Sequence, residues 1–364
     1  MILQRYIFRE LLISFLLTCA AFSFVMFLAA ALQQIHRFEA LGFDFVLTAA
    51  PYLGPFLLTF TIPISSLAAA TLVYGRLAAD NEILAMRASG IHPWRVMAPG
   101  VALGALLSLG LLALNEYVVP EAKYRTKVLT RKAVTNVLRA PPPGPDAVLN
   151  LSQFRITYRE FDPKNGAFDH IDIVELSEGR KTREFSAEKA AIRFEDDVKP
   201  PVMRLAEANG VVFRPEDNYH RHEIFRSKAW EDLPLLIGDL FGRPRGARDL
   251  RRYQLDSLAD PALFRDPPPG ILPAEIHMEI QRRSATALAP LVLVLVGVPV
   301  GILVRRSSKI GGLATILPAL LVYFGLALFG ESVAEHRALA GLVWTADAVV
   351  GAAGVVLTAR ILRR

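Results

Sequence analysis

Between Leu11 and Leu32 the chain reads LLISFLLTCAAFSFVMFLAAAL, a run without a charged side chain. A helix over such a run, rising 1.5 Å per residue, is about 33 Å long and matches the hydrocarbon core of a bilayer. It is too long for the apolar part of a signal peptide, and no small-residue cleavage site follows it, so it is expected to stay as an anchor. Similar runs recur at Val46–Val73, Val96–Val119, Ala285–Val304, Gly311–Gly330 and Gly341–Leu362. Six membrane spans are predicted, the third ending at Pro120. Pro51, Pro55 and Pro63 lie inside the second, where neighbouring helices can satisfy the carbonyls that a proline frees.

Composition divides the chain the same way. Of 364 residues 52% are hydrophobic, and the net charge is +6. These averages hide two apolar ends and a polar, charged middle. The division reads as residues 1–120 with three spans, an insertion over 121–272, and residues 273–364 with three more. Cys19, the one cysteine, excludes an intramolecular disulfide. The fold class is therefore a helical membrane protein of six spans carrying one large extramembrane domain.

Basic residues set the orientation. Arg5 and Arg9, then Arg76, Arg87 and Arg95, then Arg305, Arg306 and Lys309, and last Arg360, Arg363 and Arg364 all fall on one side of a six-span chain. That side is expected to be the cytoplasm. Both termini are then inside, and the insertion is outside, in the periplasm of a Gram-negative cell.

Between the second and third spans lies Tyr74–Trp94, whose middle reads as a short helix over about 80–90. Asp80 suits its N-cap, Ile83, Leu84, Met86 and Ala88 give an apolar side, and Gly90 suits the C-terminal stop. So short a helix is marginal alone in water and needs something to lie against. It is either an ordinary amphipathic loop helix or a docking element that takes force from a soluble motor.

The insertion reads as β. Phe154, Ile156 and Tyr158 alternate with polar residues, as do Ile171 and Ile173, and Asp162–Gly166 is turn chemistry between them. Further short strands follow around Phe185, Ile192 and Phe194, Val202–Leu205 and Gly210–Phe213. Many short strands spaced by turns point to a sandwich or jelly roll. Pro141–Pro145 and Pro267–Gly270 bracket the domain as stiff linkers, and Leu235–Asp256 receives no structure.

Motif chemistry is sparse. There is no G-x-x-x-x-G-K-[ST] loop, so the chain does not bind ATP by that route. His220, His222 and Glu223 lack the H-E-x-x-H pairing and read as solvated residues, so no metal is expected. Glu331, Glu335 and His336 sit at a span boundary and read as interfacial. Asp347, near the start of the last span, needs a helix partner or water.

These residues carry a family resemblance. The chain resembles the LptF/LptG permeases of lipopolysaccharide export, closer to the LptF type. The likeness rests on Arg5-Tyr6 with Arg9-Glu10, and on Gly75-Arg-Leu with Glu82-Ile-Leu-Ala-Met86 and Ala88-Ser-Gly90. Ala274-Glu-Ile-His277 and Val298-Pro299 extend it, and it covers nearly the whole chain. It implies a transporter with a second permease of the same type and two copies of a cytoplasmic ABC ATPase. It further implies a jelly-roll bridge with its membrane-anchored adaptor, and lipopolysaccharide as substrate. This chain is then no enzyme and needs no cofactor of its own, ATP being held by the ATPase, and no nucleic acid is involved.

By the same resemblance Asp80, Glu82, Met86 and Arg87 form the ATPase-coupling element, with Glu82 in a groove of the ATPase. Arg37 matches a basic position facing lipid-A phosphates, though an interfacial arginine reaching toward headgroups would look the same. A conduit in the β domain would place Phe154, Ile156, Ile192 and Phe194 against acyl chains. Gln34, where family members can carry lysine, and Asp347, where an amide can stand, depart from the pattern. The alternatives are a permease of another lipid- or lipoprotein-extracting ABC transporter, or a membrane-anchored enzyme.

Overall fold

The computed structural model describes residues 2–37, 42–142, 144, 146–151, 154–162, 166–177, 180–193, 201–213, 222–227, 231–234, 273–303, 309–337 and 340–363. They divide into a membrane unit (1–28, 53–123 and 247–364) and a second unit (29–52 and 124–246). Its helices are α1 (Ile2–Arg37), α2 (Gly42–Ala79), α3 (Glu82–Ala88), α4 (Pro93–Ala113), α5 (Val119–Arg139), α6 (Pro273–Leu303), α7 (Lys309–Arg337) and α8 (Thr345–Arg363). Among the described residues, six helical segments are long and apolar enough to cross a membrane, as the sequence predicts.

The helix that carries the third span does not stop at Pro120. A π-helical turn, Leu114–Val118, links α4 to α5, and the helix runs on to Arg139. In this turn the Val119 N–H bonds the Leu114 carbonyl, five residues back. The wider turn makes room for the proline ring, which would clash with the carbonyl four residues before it in a regular helix.

The membrane unit packs through small residues and through the buried Tyr74. A Cβ on Gly301 would lie 2.8 Å from the Thr71 carbonyl, so only glycine lets α6 approach α2 this closely. The Tyr74 hydroxyl donates to the Val96 carbonyl at 2.9 Å and accepts from the Gly100 N–H at 3.2 Å. It thereby ties α2 to α4 inside the protein. Around Tyr74, Ile7 and Leu11 of α1, Leu77 of α2, Ile83 of α3, Val96 and Met97 of α4 and Ile361 of α8 form one apolar cluster. The helix ends in this cluster therefore share one side, as an even number of crossings requires.

The second unit contains strands β1 (Ala147–Leu151), β2 (Phe154–Asp162), β3 (Ala167–Ser177), β4 (Arg180–Arg193), β5 (Val202–Phe213), β6 (His222–Ser227) and β7 (Glu231–Pro234). They form one antiparallel sheet in chain order from β1 to β6, with β7 also on β5. The predicted alternation holds in β2, where Phe154, Ile156 and Tyr158 face the core. Farther along it breaks in a regular way. Tyr158 and Phe161, Phe168 and Ile171, Ala187 and Ala190, and Leu205 and Ala208 each face the core three residues apart, and these pairs lie side by side across four strands.

This row is a crease. His170 and Glu207 take positive φ there, 49° and 52°, which costs a non-glycine residue energy. The bend keeps the apolar face turned inward on both sides of the crease, where strict alternation would turn it outward beyond this point. The sheet thus curves over its own core. Val134 and Leu138 of α5 complete that core. The Tyr158 hydroxyl closes it by donating to the Pro142 carbonyl. Burial pushes its pKa up, so it remains a donor at neutral pH.

Candidate functional site

Two regions of the membrane unit carry chemistry, at opposite ends of its helices. The first is α3. Its N-cap is Asn81, in the left-handed region at φ 57° and without a side-chain capping bond, so Asp80 does not cap it. Its C-terminus closes with a Schellman arrangement. The Ile91 N–H bonds the Met86 carbonyl at 3.1 Å and the Gly90 N–H bonds the Arg87 carbonyl at 2.9 Å, with Gly90 at φ 79°.

The expected apolar side of α3 divides in two. Ile83 and Met86 turn into the cluster described above, while Leu84 stays 54% exposed, as does Trp94 of α4 at 45%. Glu82 is half-buried in the first turn. Near it Arg76 pairs with Glu10 at 2.8 Å, and the Glu82 charge acts on this arginine as well. Asp80 is exposed. Arg87 is half-buried, and its Nη2 donates to the Ile361 carbonyl of α8 at 3.2 Å. The resemblance sets Arg87 in the coupling element; the structure ties its side chain to the last membrane helix.

The second region is a cavity of about 230 Å³. Phe56, Phe60, Phe324 and Leu328 give it an apolar wall, and Lys123, Arg282, Glu331 and Asp347 bring charge to it. At its centre Glu279, 5% exposed, accepts from Arg282 Nε at 3.0 Å and Nη2 at 2.7 Å, and from Arg283 Nε at 2.8 Å. Arg283, 6% exposed, also reaches Glu116 at 3.9 Å. Arg282 lies 4.0 Å from Glu331, and Lys123 Nζ stands 4.8 Å above the Phe56 ring. The Tyr323 hydroxyl donates to Asp347 Oδ1 at 2.9 Å, which supplies the helix partner that a buried carboxylate requires.

The structure thus brings Glu331 and Asp347, both noted in the sequence, into one site with residues the sequence reading passed over. Glu116, Lys123, Glu279, Arg282 and Arg283 were legible as charges beside or inside spans. The fourth span was started at Ala285, just past the last of them. Asn115 and Glu116 are buried in the π turn, a feature that often marks functional sites.

The remaining expected residues fall elsewhere. Phe154 and Ile156, 5% and 1% exposed, are closed inside the β core, and Ile192 packs against it. Phe194 and His220 lie outside the described residues, as do the side chains of Arg37, His222, Glu223, Glu335 and His336. Among the described residues no group of three or more His, Cys, Asp or Glu side chains could hold a metal.

A comparison with curated proteins finds no match. A family model described as Lipopolysaccharide export system permease LptF/LptG matches residues 5–360. Six apolar helices, a β domain and a match over nearly the whole length make this chain a member of the LptF/LptG permease family.

Proposed function

We propose that this permease is one half of an ATP-driven exporter that draws lipopolysaccharide from the inner membrane and delivers it to a periplasmic jelly-roll bridge. A second LptF/LptG-type permease and two copies of a separate ATPase complete the transporter. The observation that carries the reading is α3. It is a seven-residue helix whose Ile83 and Met86 pack into an apolar cluster of membrane helices, with Glu82, Leu84 and Trp94 left to a partner. The mixed wall of the 230 Å³ cavity suits an amphipathic substrate, its guanidinium groups pairing with phosphate and its apolar rings with acyl chains. Arg37 and the β-domain residues Phe154, Ile156, Ile192 and Phe194 stay proposed lipid contacts. Phe154 and Ile156 meet lipid only when the sheet opens.

Orientation is the first test. Both ends of the chain and α3 are cytoplasmic in this reading, and the β domain is periplasmic. Cysteines placed at Ser177 and at Ser89, in a Cys19→Ala background, are treated in intact spheroplasts with a membrane-impermeant thiol reagent. Position 177 is expected to react and position 89 to stay silent. Labelling at 89 with none at 177 would overturn the orientation.

A further inference from the structure

The last turn of a helix leaves carbonyls without intrahelical N–H partners, and it carries the negative end of the helix dipole. In α8 one of these carbonyls, that of Ile361, is met by Arg87 of α3. The contact joins residues 274 positions apart in sequence, and it sits in a basic neighbourhood, with Arg360 and Arg363 on the same last turn. The fit costs something to hold. Arg87 Nε is buried without a hydrogen-bond partner, and an unmet buried donor is unfavourable. An arginine serving only solubility would turn outward.

What α8 touches gives the contact its meaning. A Cβ on Gly354 would lie 3.0 Å from the backbone carbonyl of Leu295, so α8 rests on α6 backbone to backbone at mid-length. At its other end Asp347 bonds Tyr323 and lines the charged cavity. A helix of 19 residues is about 28 Å long and rigid over that distance. One stiff element therefore runs from α3 to the cavity wall.

We infer that Arg87 is a positioning residue that makes α3 and α8 move as one body, so that force on the docking helix reaches the cavity through Asp347. This rests on the docking reading of α3 given above. Arg87 itself touches neither the ATPase nor the substrate.

The test uses the complete transporter, both permeases with the ATPase, in proteoliposomes loaded with lipopolysaccharide. Three quantities are read: ATPase recovered with the permease, ATP hydrolysed, and lipopolysaccharide released per ATP. Arg87→Ala is expected to keep the first and to hold hydrolysis within about twofold. It is expected to lower release per ATP by about tenfold, a size typical of coupling between distant sites. Arg87→Lys should recover part of that loss, since an ammonium can meet the same carbonyl with one donor.

Unchanged release per ATP in Arg87→Ala would overturn the inference, as would a parallel loss of ATPase binding, which would make Arg87 a docking residue. Failure of the docking reading itself shows separately, as a Glu82→Lys variant that still binds the ATPase. Because Arg87→Ala could fold poorly, a second arm leaves Arg87 in place. Cysteines at Ala88 and Leu362, in the Cys19→Ala background, are joined by a short bis-maleimide. Elements that move together tolerate the tether, so export is expected to persist. A tether that stops release while hydrolysis continues would contradict the inference.

Discussion

Arg283→Ala is expected to destabilise the membrane unit by about 3–5 kcal/mol, the usual cost of removing one partner from a buried ion pair. Arg283 is 6% exposed and stands between Glu279 and Glu116. Removing it takes one of the three donors from Glu279 and the cation from beside Glu116, and both carboxylates are buried. Arg282→Ala should cost less, because that side chain is 25% exposed and its loss leaves Arg283 on Glu279. Arg283→Lys should fall between, as a point charge cannot serve two carboxylates at once as a guanidinium does. Unfolding in detergent, followed by tryptophan fluorescence against denaturant, checks this order. Equal midpoints for Arg283→Ala and Arg282→Ala would mean that the central pair is solvated.

Glu82→Lys is expected to leave the fold intact and to abolish coupling. Within the chain the change is small, since a lysine in the first turn opposes the helix dipole by only about 0.3–1 kcal/mol and stands nearer Arg76. Against a partner the change is larger. A charge-assisted hydrogen bond contributes about 1.5–3 kcal/mol, and its replacement by like-charge repulsion weakens ATPase binding by roughly ten- to a hundredfold or more. Glu82→Ala should show part of this loss. The fitting control is Ala88→Ser, on the exposed side of α3, since Arg87 is held by α8 and cannot serve as a neutral comparison. Binding titrations of the ATPase to each purified permease complex give the answer. Normal affinity in Glu82→Lys would remove Glu82 from the interface.

Hydropathy made the six helices of the membrane half readable, because the length and apolarity of a segment are what a bilayer selects. The short helix after the second span was equally readable, through Gly90 and its apolar spacing. What stayed hidden depended on partners distant in sequence. Pro120 looked like a stop, and only the π turn before it lets the helix continue. Met86 and Leu84 look alike in sequence, yet one packs against the cluster around Tyr74 and the other is left exposed. The partner of Arg87 stayed hidden because it is a backbone carbonyl on the last helix, which no side-chain pattern reports. The crease through His170 and Glu207 was hidden for a related reason, as an alternation rule assumes an unbent strand. Glu279, Arg282 and Arg283 could have been found, since charges three and four apart at the mouth of an apolar run form pairs on one helix face.

The central claim is that this permease holds lipopolysaccharide and works with a separate ATPase. The most direct measurement is native mass spectrometry of the complex, purified in mild detergent from Gram-negative membranes through a tag on this chain. The account predicts two ATPase copies, a second permease of the same family, and a bound mass that matches lipopolysaccharide and leaves when ATP is added. A complex that carries only phospholipid and no ATPase would contradict it.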